Sequence, residues 1–551
     1  MSDNTQPPRP GPALTFELLD ESGVGLGGDE GLLDERERRL LVGAANFHSL
    51  AAPGQTFRLT VLRGPGGTLP RLTDETTRQI EWEDDREVVG SLLVRSVATS
   101  PSGTAPASGL VDLVVDLGGE PDLADAYGKL PGWRGRARRA VRFMAPVQFD
   151  VLRQYRTDFV EKRMRSTGIP RKGPVLVERG ASLDAPRRGP AILFGLHWLE
   201  MGGAERWALD TIALAREAGF TPIVVTDRES SHPWITRPEL DGALVIPLTQ
   251  PLLAADQSAF LNGILATYDV RGVHVHHNTW LYQRLPWLRS VRPDLPMVDS
   301  LHILEWRTGG FVDIAVRMSN VIDTHHVISP ALRDYLIGRQ NLPADKIKLA
   351  TLANLTTDAV FAPTLPERGA GEKFTVSFVG RFTQQKRPYL FLQLAAKLHK
   401  AHGDAVRFIM QGDGELAGEV HAMRNRLGLS QVLEVRAPGH PVPQTLAESD
   451  VLVVSSDNEG LTLTSFEATA AGTPVLSADV GAQASLVADG LLLPRHPYPF
   501  LNEAVARIET MMSSTEARKT WLDEQVGKAA AFAKLPDARS WTRELYQGWL
   551  R

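Results

Sequence analysis

The stretch Asp457-Asn458-Glu459-Gly460-Leu461-Thr462-Leu463-Thr464-Ser465-Phe466-Glu467 follows directly on the run DVLVV at 450–454. Four consecutive apolar residues read as a strand buried on both faces, and the residues from Leu463 onward read as the helix after it. Strand, turn and helix in that order form the repeating unit of a parallel sheet. The turn falls at the helix N-terminus, where unpaired backbone amides attract an anion. Glu459 at the strand end and Glu467 on the helix add two carboxylates able to accept hydrogen bonds from sugar hydroxyls. In an otherwise apolar segment, this combination points to a nucleotide-sugar pocket rather than to two ordinary solvated glutamates.

The alternation continues outward from that unit. FTVSFV, VRFIMQ and PVLS are further short apolar runs, interleaved with helical stretches such as YLFLQLAAKLHKAHG. Ahead of the segment APTLPERGAGEK lies an earlier block in which AILFGL, PIVVT, ALVIP, GVHVH, MVDSL and HVIS alternate with stretches such as ERWALDTIALAREAG. Two successive doubly wound α/β domains are therefore expected, at 186–370 and 371–530, with ligands beyond the carboxyl ends of the strands in the cleft between them. Residues 531–551 form a terminal amphipathic helix carrying Trp541, Leu545, Tyr546 and Trp549.

The N-terminal third has another character. Residues 1–118 open on a Pro-rich tail and continue with TFRLTVLRG, REVVGSLLVRSV and GLVDLVVDLGG between Gly, Pro and Ser clusters, which predicts a small all-β accessory module. GVGLGG at 23–28 has the glycine spacing of a dinucleotide loop but no βαβ setting, and is read as a loop. Residues 119–185 are helical and basic. There Arg134, Arg136, Arg138, Arg139 and Arg142 precede Phe149, Leu152, Tyr155 and Phe159. The segment 134–160 suits either a linker helix covering the neighbouring domain or peripheral contact with anionic lipid.

Length and composition agree with this division. At roughly 150 residues per domain, 551 residues predict three or four folding units. The net charge of −5, from 60 Lys and Arg against 65 Asp and Glu, gives no polyanion-seeking character, so no nucleic-acid partner is expected. With no cysteine, disulfides, thiolate metal sites and thiol nucleophiles are excluded. The first residues have no basic start and apolar run, and no stretch reaches the length of a spanning helix, so a cytoplasmic protein is expected.

Further residues bear on the chemistry. Gly202 and Gly203, between AILFGL and a helix, either admit a ligand to the backbone or make a tight turn. Gly380 follows FTVSFV, and Arg381 and Lys386 beyond it either clamp a diphosphate or sit as ordinary surface charges. Gly412 and Gly414 in MQGDGE suit close ligand approach or a simple turn. His274, His276 and His277 alternate across a strand, which argues against a shared metal. The chain contains no Asp-x-Asp pair.

Taken together, GGAE at 202–205, FVGRFTQQKRP at 378–388, QGDGE at 411–415, Glu459 to Glu467, and EATAAGTPVLSADVGAQ at 467–483 resemble the retaining glycosyltransferase family 4. The resemblance covers about 190–551 and implies the GT-B fold, two Rossmann-like domains facing a cleft. It implies transfer of a sugar from a UDP- or GDP-linked donor to a hydroxyl of a glycan, lipid-linked or protein-linked acceptor, without metal or other cofactor. By the same resemblance Arg381 and Lys386 neutralise the diphosphate, Glu467 holds the ribose, and Glu459 contacts the transferring sugar. Amides at Gly460, Leu461 and Thr462 support the donor, Gly202 and Gly203 approach from the other domain, and His302 stands beside the sugar. The terminal helix is implied to brace the first domain. Ser485 stands where relatives carry a carboxylate. A silent scaffold used as an interaction module and a nucleotide-sugar epimerase are the alternatives on the same fold.

Overall fold

The computed structural model describes residues 13–26, 31–63, 71–74, 87–101, 106–117, 133–167, 188–228, 230–248, 254–303, 310–352, 363–365, 369 and 371–551. Much of 119–185 lies outside the described residues. The first sheet contains β1 (Phe16–Ser22), β2 (Thr56–Arg63), β3 (Arg71–Asp74), β4 (Glu87–Ser96) and β5 (Leu110–Asp116), in the order β1-β4-β2-β5-β3. It is antiparallel except for the parallel β2–β5 pair.

The expectation of an all-β N-terminal module is corrected by a 17-residue helix, Glu35–Ala51. Asp34 accepts from the Glu37 amide at 2.7 Å while the Glu37 carboxylate accepts from the Asp34 amide at 3.0 Å, a reciprocal cap on the first turn. The charged opening ERERR concealed an apolar stripe that starts only at Leu40. This helix joins the first sheet to the next one. Leu40, Leu41 and Ala44 share a core cluster with Phe194 and Val245, while Phe47 and Leu50 pack with Phe260 and Ile264. A Cβ on Gly263, in the helix Ala254–Thr267, would lie 1.9 Å from the Leu50 carbonyl oxygen, so the two helices meet almost backbone to backbone.

The second sheet is β6 (Arg188–Leu196), β7 (Thr221–Thr226), β8 (Leu244–Pro247), β9 (Tyr268–His276), β10 (Met297–Leu301), β11 (Thr324–Val327) and β12 (Ile347–Leu349), ordered β12-β11-β10-β9-β6-β7-β8. The third is β13 (Phe374–Val379), β14 (Val406–Gln411), β15 (Leu433–Arg436), β16 (Val451–Val454), β17 (Val475–Ala478) and β18 (Leu492–Leu493), ordered β15-β14-β13-β16-β17-β18. Strands in both sheets run parallel. The central strands are largely buried on both faces, as their apolar runs require, while β12 and β15 at the sheet edges are half-buried or partly exposed. The molecule thus contains two Rossmann-like α/β domains.

The connector helices Trp133–Met144 and Pro146–Thr167 lie against the second of these domains. Val147 enters its core, and Arg142 pairs with Glu419. The terminal helix Ala538–Leu550 returns to the first domain, where the buried Tyr546 hydroxyl lies 2.7 Å from His274 Nδ1. Trp549 covers Gly272, whose absent Cβ would lie 2.2 Å from the ring.

Candidate active site

The strand order reverses between β6 and β9 in one sheet and between β13 and β16 in the other. At such a point adjacent connections leave in opposite directions and open a crevice beyond the strand ends. The loops leaving these four strands hold most of the residues singled out from the sequence.

In the second domain the loops after β13 and β16 are zipped together. The Asp457 amide donates to the Gln385 carbonyl at 2.9 Å, and Gln385 Nε2 donates to the Asn458 carbonyl at 2.8 Å. Lys386 Nζ reaches Glu459 Oε1 at 2.6 Å, and Ser456 Oγ donates to the same oxygen. Glu459 is buried, so its charge is held by these two partners. Arg381 is exposed and forms no side-chain ion pair among the described residues. Thr462 is the N-cap of the helix Leu463–Ala470, its Oγ1 buried without a partner among the described residues, and Leu461 packs against the core. Burial raises the pKa of Glu467, while Arg206 from the opposite domain pulls it down.

Gly412 serves packing. Its φ is +147°, and a Cβ there would lie 2.1 Å from the Gly380 carbonyl oxygen. The glycine is required here by the close approach of a neighbouring loop. Gly460 meets the other domain, since a Cβ on it would lie 2.1 Å from the His302 carbonyl oxygen.

In the first domain, Gly202 makes room for Glu205, whose Oε2 would be 1.9 Å from a Cβ on the glycine. Gly203, by contrast, faces open space. Glu205 Oε1 lies 2.9 Å from His197 Nε2 and accepts from Trp198 Nε1 at 2.9 Å. Burial alone would raise the Glu205 pKa, but His197, the residue's own amide and Trp198 together hold it at about 2. His302, just past β10, is buried, and that burial, reinforced by His277 and His326, keeps its pKa well below the ordinary value. Such an imidazole is uncharged near neutral pH, and its Nε2 has no hydrogen-bond partner among the described residues. His277, at φ +57°, stacks on Phe311 with ring centroids 4.5 Å apart. His276 Nε2 lies 3.0 Å from Thr211 Oγ1, and His274 lies between Tyr546 and Ser300.

A cavity of about 550 Å³ opens between the domains, lined by His302, Ile303, Ser329, Tyr335, Arg339, Asn458, Glu459 and Gly460, among others. Of the residues expected from the sequence, His302, Glu459 and Gly460 meet here, and Lys386 reaches the cavity wall through Glu459. Gly202, Gly203, Gly380, Arg381, Gly412, Leu461, Thr462 and Glu467 do not line it. Sequence reasoning missed the helix Pro330–Gly338, which supplies Asp334 and Tyr335 to the wall. Its signal was present, because SPALRDYL follows the strand HVIS with Ser329 as N-cap.

The family descriptions that match the chain are Glycosyltransferase Family 4 over residues 201–350 and Glycosyl transferases group 1 over residues 373–509. The chain is a glycosyltransferase of the GT-B fold. This glycosyltransferase is 27% identical over 372 residues to the D-inositol 3-phosphate glycosyltransferase of Geodermatophilus obscurus, covering 60% of this chain and 80% of that one. The Saccharomonospora viridis protein of the same name is 27% identical over 303 residues, covering 48% and 68%. Among solved structures, Anabaena Alr3699/HepE in complex with UDP and glucose matches the glycosyltransferase with a TM-score of 0.50 at 19% identity, over 65% of this chain and 99% of that chain.

Proposed function

We propose that the enzyme transfers a sugar from a UDP- or GDP-linked donor to a hydroxyl of a glycan or lipid-linked acceptor, with retention at the anomeric carbon and without a metal. The observation that carries this reading is the interdomain cavity in which His302 faces Glu459 and Gly460. The UDP and glucose held by the Anabaena protein support a nucleoside-diphosphate sugar as donor.

Negative charge grows on the diphosphate as the glycosidic bond breaks, and Lys386, Arg381 and the amides before the helix Leu463–Ala470 would stabilise it. Lys386 would exchange part of its contact with Glu459 for the diphosphate, freeing a carboxylate oxygen for sugar hydroxyls. Glu459, already engaged by Ser456 and Lys386, is poorly placed to act as a nucleophile. Departure and attack on one face, with the leaving oxygen taking the acceptor proton, accounts for retention without one. A neutral His302 beside the reacting carbon places no cation against an oxocarbenium-like state. Glu467 would accept from the ribose hydroxyls. Closure of the cleft would exclude water and favour transfer over hydrolysis.

The acceptor would enter from the first domain, and D-inositol 3-phosphate, in the names of the relatives, is the first to try. The connector would bring the enzyme to an anionic lipid surface. Leu152, Tyr155 and Phe159 share one helix face at 69%, 64% and 69% exposure. The arginines that precede them in the sequence suit acidic headgroups. The test of donor use is calorimetric titration with UDP and GDP, followed by mass spectrometry of products from a panel of nucleotide sugars and acceptors. Binding of neither nucleotide would overturn the reading.

A further inference from the structure

The helix Pro146–Thr167 precedes both regions matched by family descriptions, yet one of its faces is built into the floor of the donor-side loops. Asp150, fully buried, accepts from Arg387 Nη1 at 3.0 Å through Oδ2 and from the Tyr389 hydroxyl at 3.0 Å through Oδ1. Arg387 is itself fully buried. It also donates to the carbonyls of Ser455, Ser456 and Arg495. One turn further along, Arg153 donates to the Gln384 carbonyl at 3.2 Å and pairs with Asp457.

Arg387 sits at φ +50° and ψ +52°, a left-handed conformation that costs a residue with a Cβ and persists only where its surroundings impose it. The preceding residue is Lys386, whose ammonium holds Glu459. Ser455 Oγ closes the arrangement by donating to the Lys386 carbonyl at 3.0 Å. A buried guanidinium without a carboxylate would carry a large desolvation cost, and Asp150 is the carboxylate that pairs with it among the described residues.

We infer that Asp150 and Arg153 are positioning residues for the donor site: the connector helix sets the left-handed turn at Arg387, and through it the place of Lys386 and Glu459. This inference rests on the proposed donor reading for its functional consequence, but its structural content stands apart. The connector fixes the loops 381–387 and 455–459. The lipid-facing candidates Leu152 and Tyr155 interdigitate in sequence with Asp150 and Arg153, so whatever engages one face of the helix bears on the loops held by the other.

The test uses the full chain with Asp150→Asn, Arg153→Gln and Arg153→Lys. Asp150→Asn keeps the shape and removes the charge. Arg153 is less buried than Asp150, its side chain 13% exposed, so its replacement tests the idea even if the Asp150 variant fails to fold. Hydrogen exchange of peptides covering 381–387 and 455–459 is expected to accelerate in both Asp150→Asn and Arg153→Gln, with no change in peptides from β6 and β9. Affinity for UDP or GDP is expected to fall about tenfold or more, KM for donor to rise more than kcat falls, and Arg153→Lys to recover part of the loss. Unchanged exchange in the two loops in Arg153→Gln, or in a folded Asp150→Asn, would overturn the inference whatever the activity. Wild-type protein that binds no nucleotide while the loops still loosen in the variants would instead remove the donor reading and leave the positioning role in place.

Discussion

Lys386 and Glu467 are the residues on which the donor reading is most exposed. Lys386→Ala removes the cation from a buried carboxylate and from the developing diphosphate charge, so kcat/KM is expected to fall about a hundredfold or more, and the melting temperature to drop because Glu459 loses a partner. Glu467→Ala is expected to weaken donor binding comparably, because a half-buried carboxylate with a raised pKa has few protein contacts to lose. Steady-state kinetics beside thermal melts would separate these outcomes from unfolding. Glu205 yields a pH prediction. Its folded-state pKa of about 2 lies below the ordinary 4.5, so it contributes stability that is present above pH 4.5 and lost as pH falls toward 2. The difference is at most about 3 kcal/mol, by 1.36 kcal/mol per unit. Urea melts of wild type and Glu205→Gln should differ most near neutrality and converge below pH 3; parallel curves would contradict this. Glu459 stood out in the sequence because a carboxylate closely follows a buried strand, whereas His302 was named through the family resemblance alone. The packing contacts of Gly202 and Gly412 were not legible, because the sequence does not show which group approaches a glycine.

Elements show the same division. Strands were readable as short apolar runs, since a strand covered on both faces has no solvent side to interrupt it. The helix Glu35–Ala51 was hidden by its charged first turn, although its cap was written as Asp34 and Glu37. At the domain contact, Gly460→Ala places a methyl 2.1 Å from the His302 carbonyl, and neither backbone can yield cheaply. A loss of about 1–3 kcal/mol and a wider cleft are expected, measured as a lower midpoint in denaturant and a higher donor KM. For the connector, sedimentation with vesicles rich in anionic lipid should retain wild type. Release by Leu152→Ser with Phe159→Ser, and by high salt, is the expected pattern, and equal binding to neutral vesicles would count against an electrostatic contribution.

At the scale of the whole molecule, the N-terminal sheet and its helix share hydrophobic clusters with the first Rossmann-like domain, and Arg39 pairs with Asp241 across that junction at 2.8 Å. A chain lacking residues 1–117 is therefore expected to expose Phe194, Phe260 and Val245 and to aggregate or bind hydrophobic dye. A well-folded truncated enzyme would show the N-terminal part to be dispensable for that core. Among the described residues no helix is long and apolar enough to cross a membrane.

The sequence by itself determined two doubly wound α/β domains, the strand-end loops that carry the site, and the enzyme class, because hydrophobic periodicity and short motifs are local properties of the chain. Only the tertiary structure decided which of those residues meet. Asp150 and Arg387 are 237 residues apart, and Gly460 meets the His302 backbone from the other domain. Buried charge must find its partner wherever the fold brings one, and that requirement acts through space, without reference to the order of the chain.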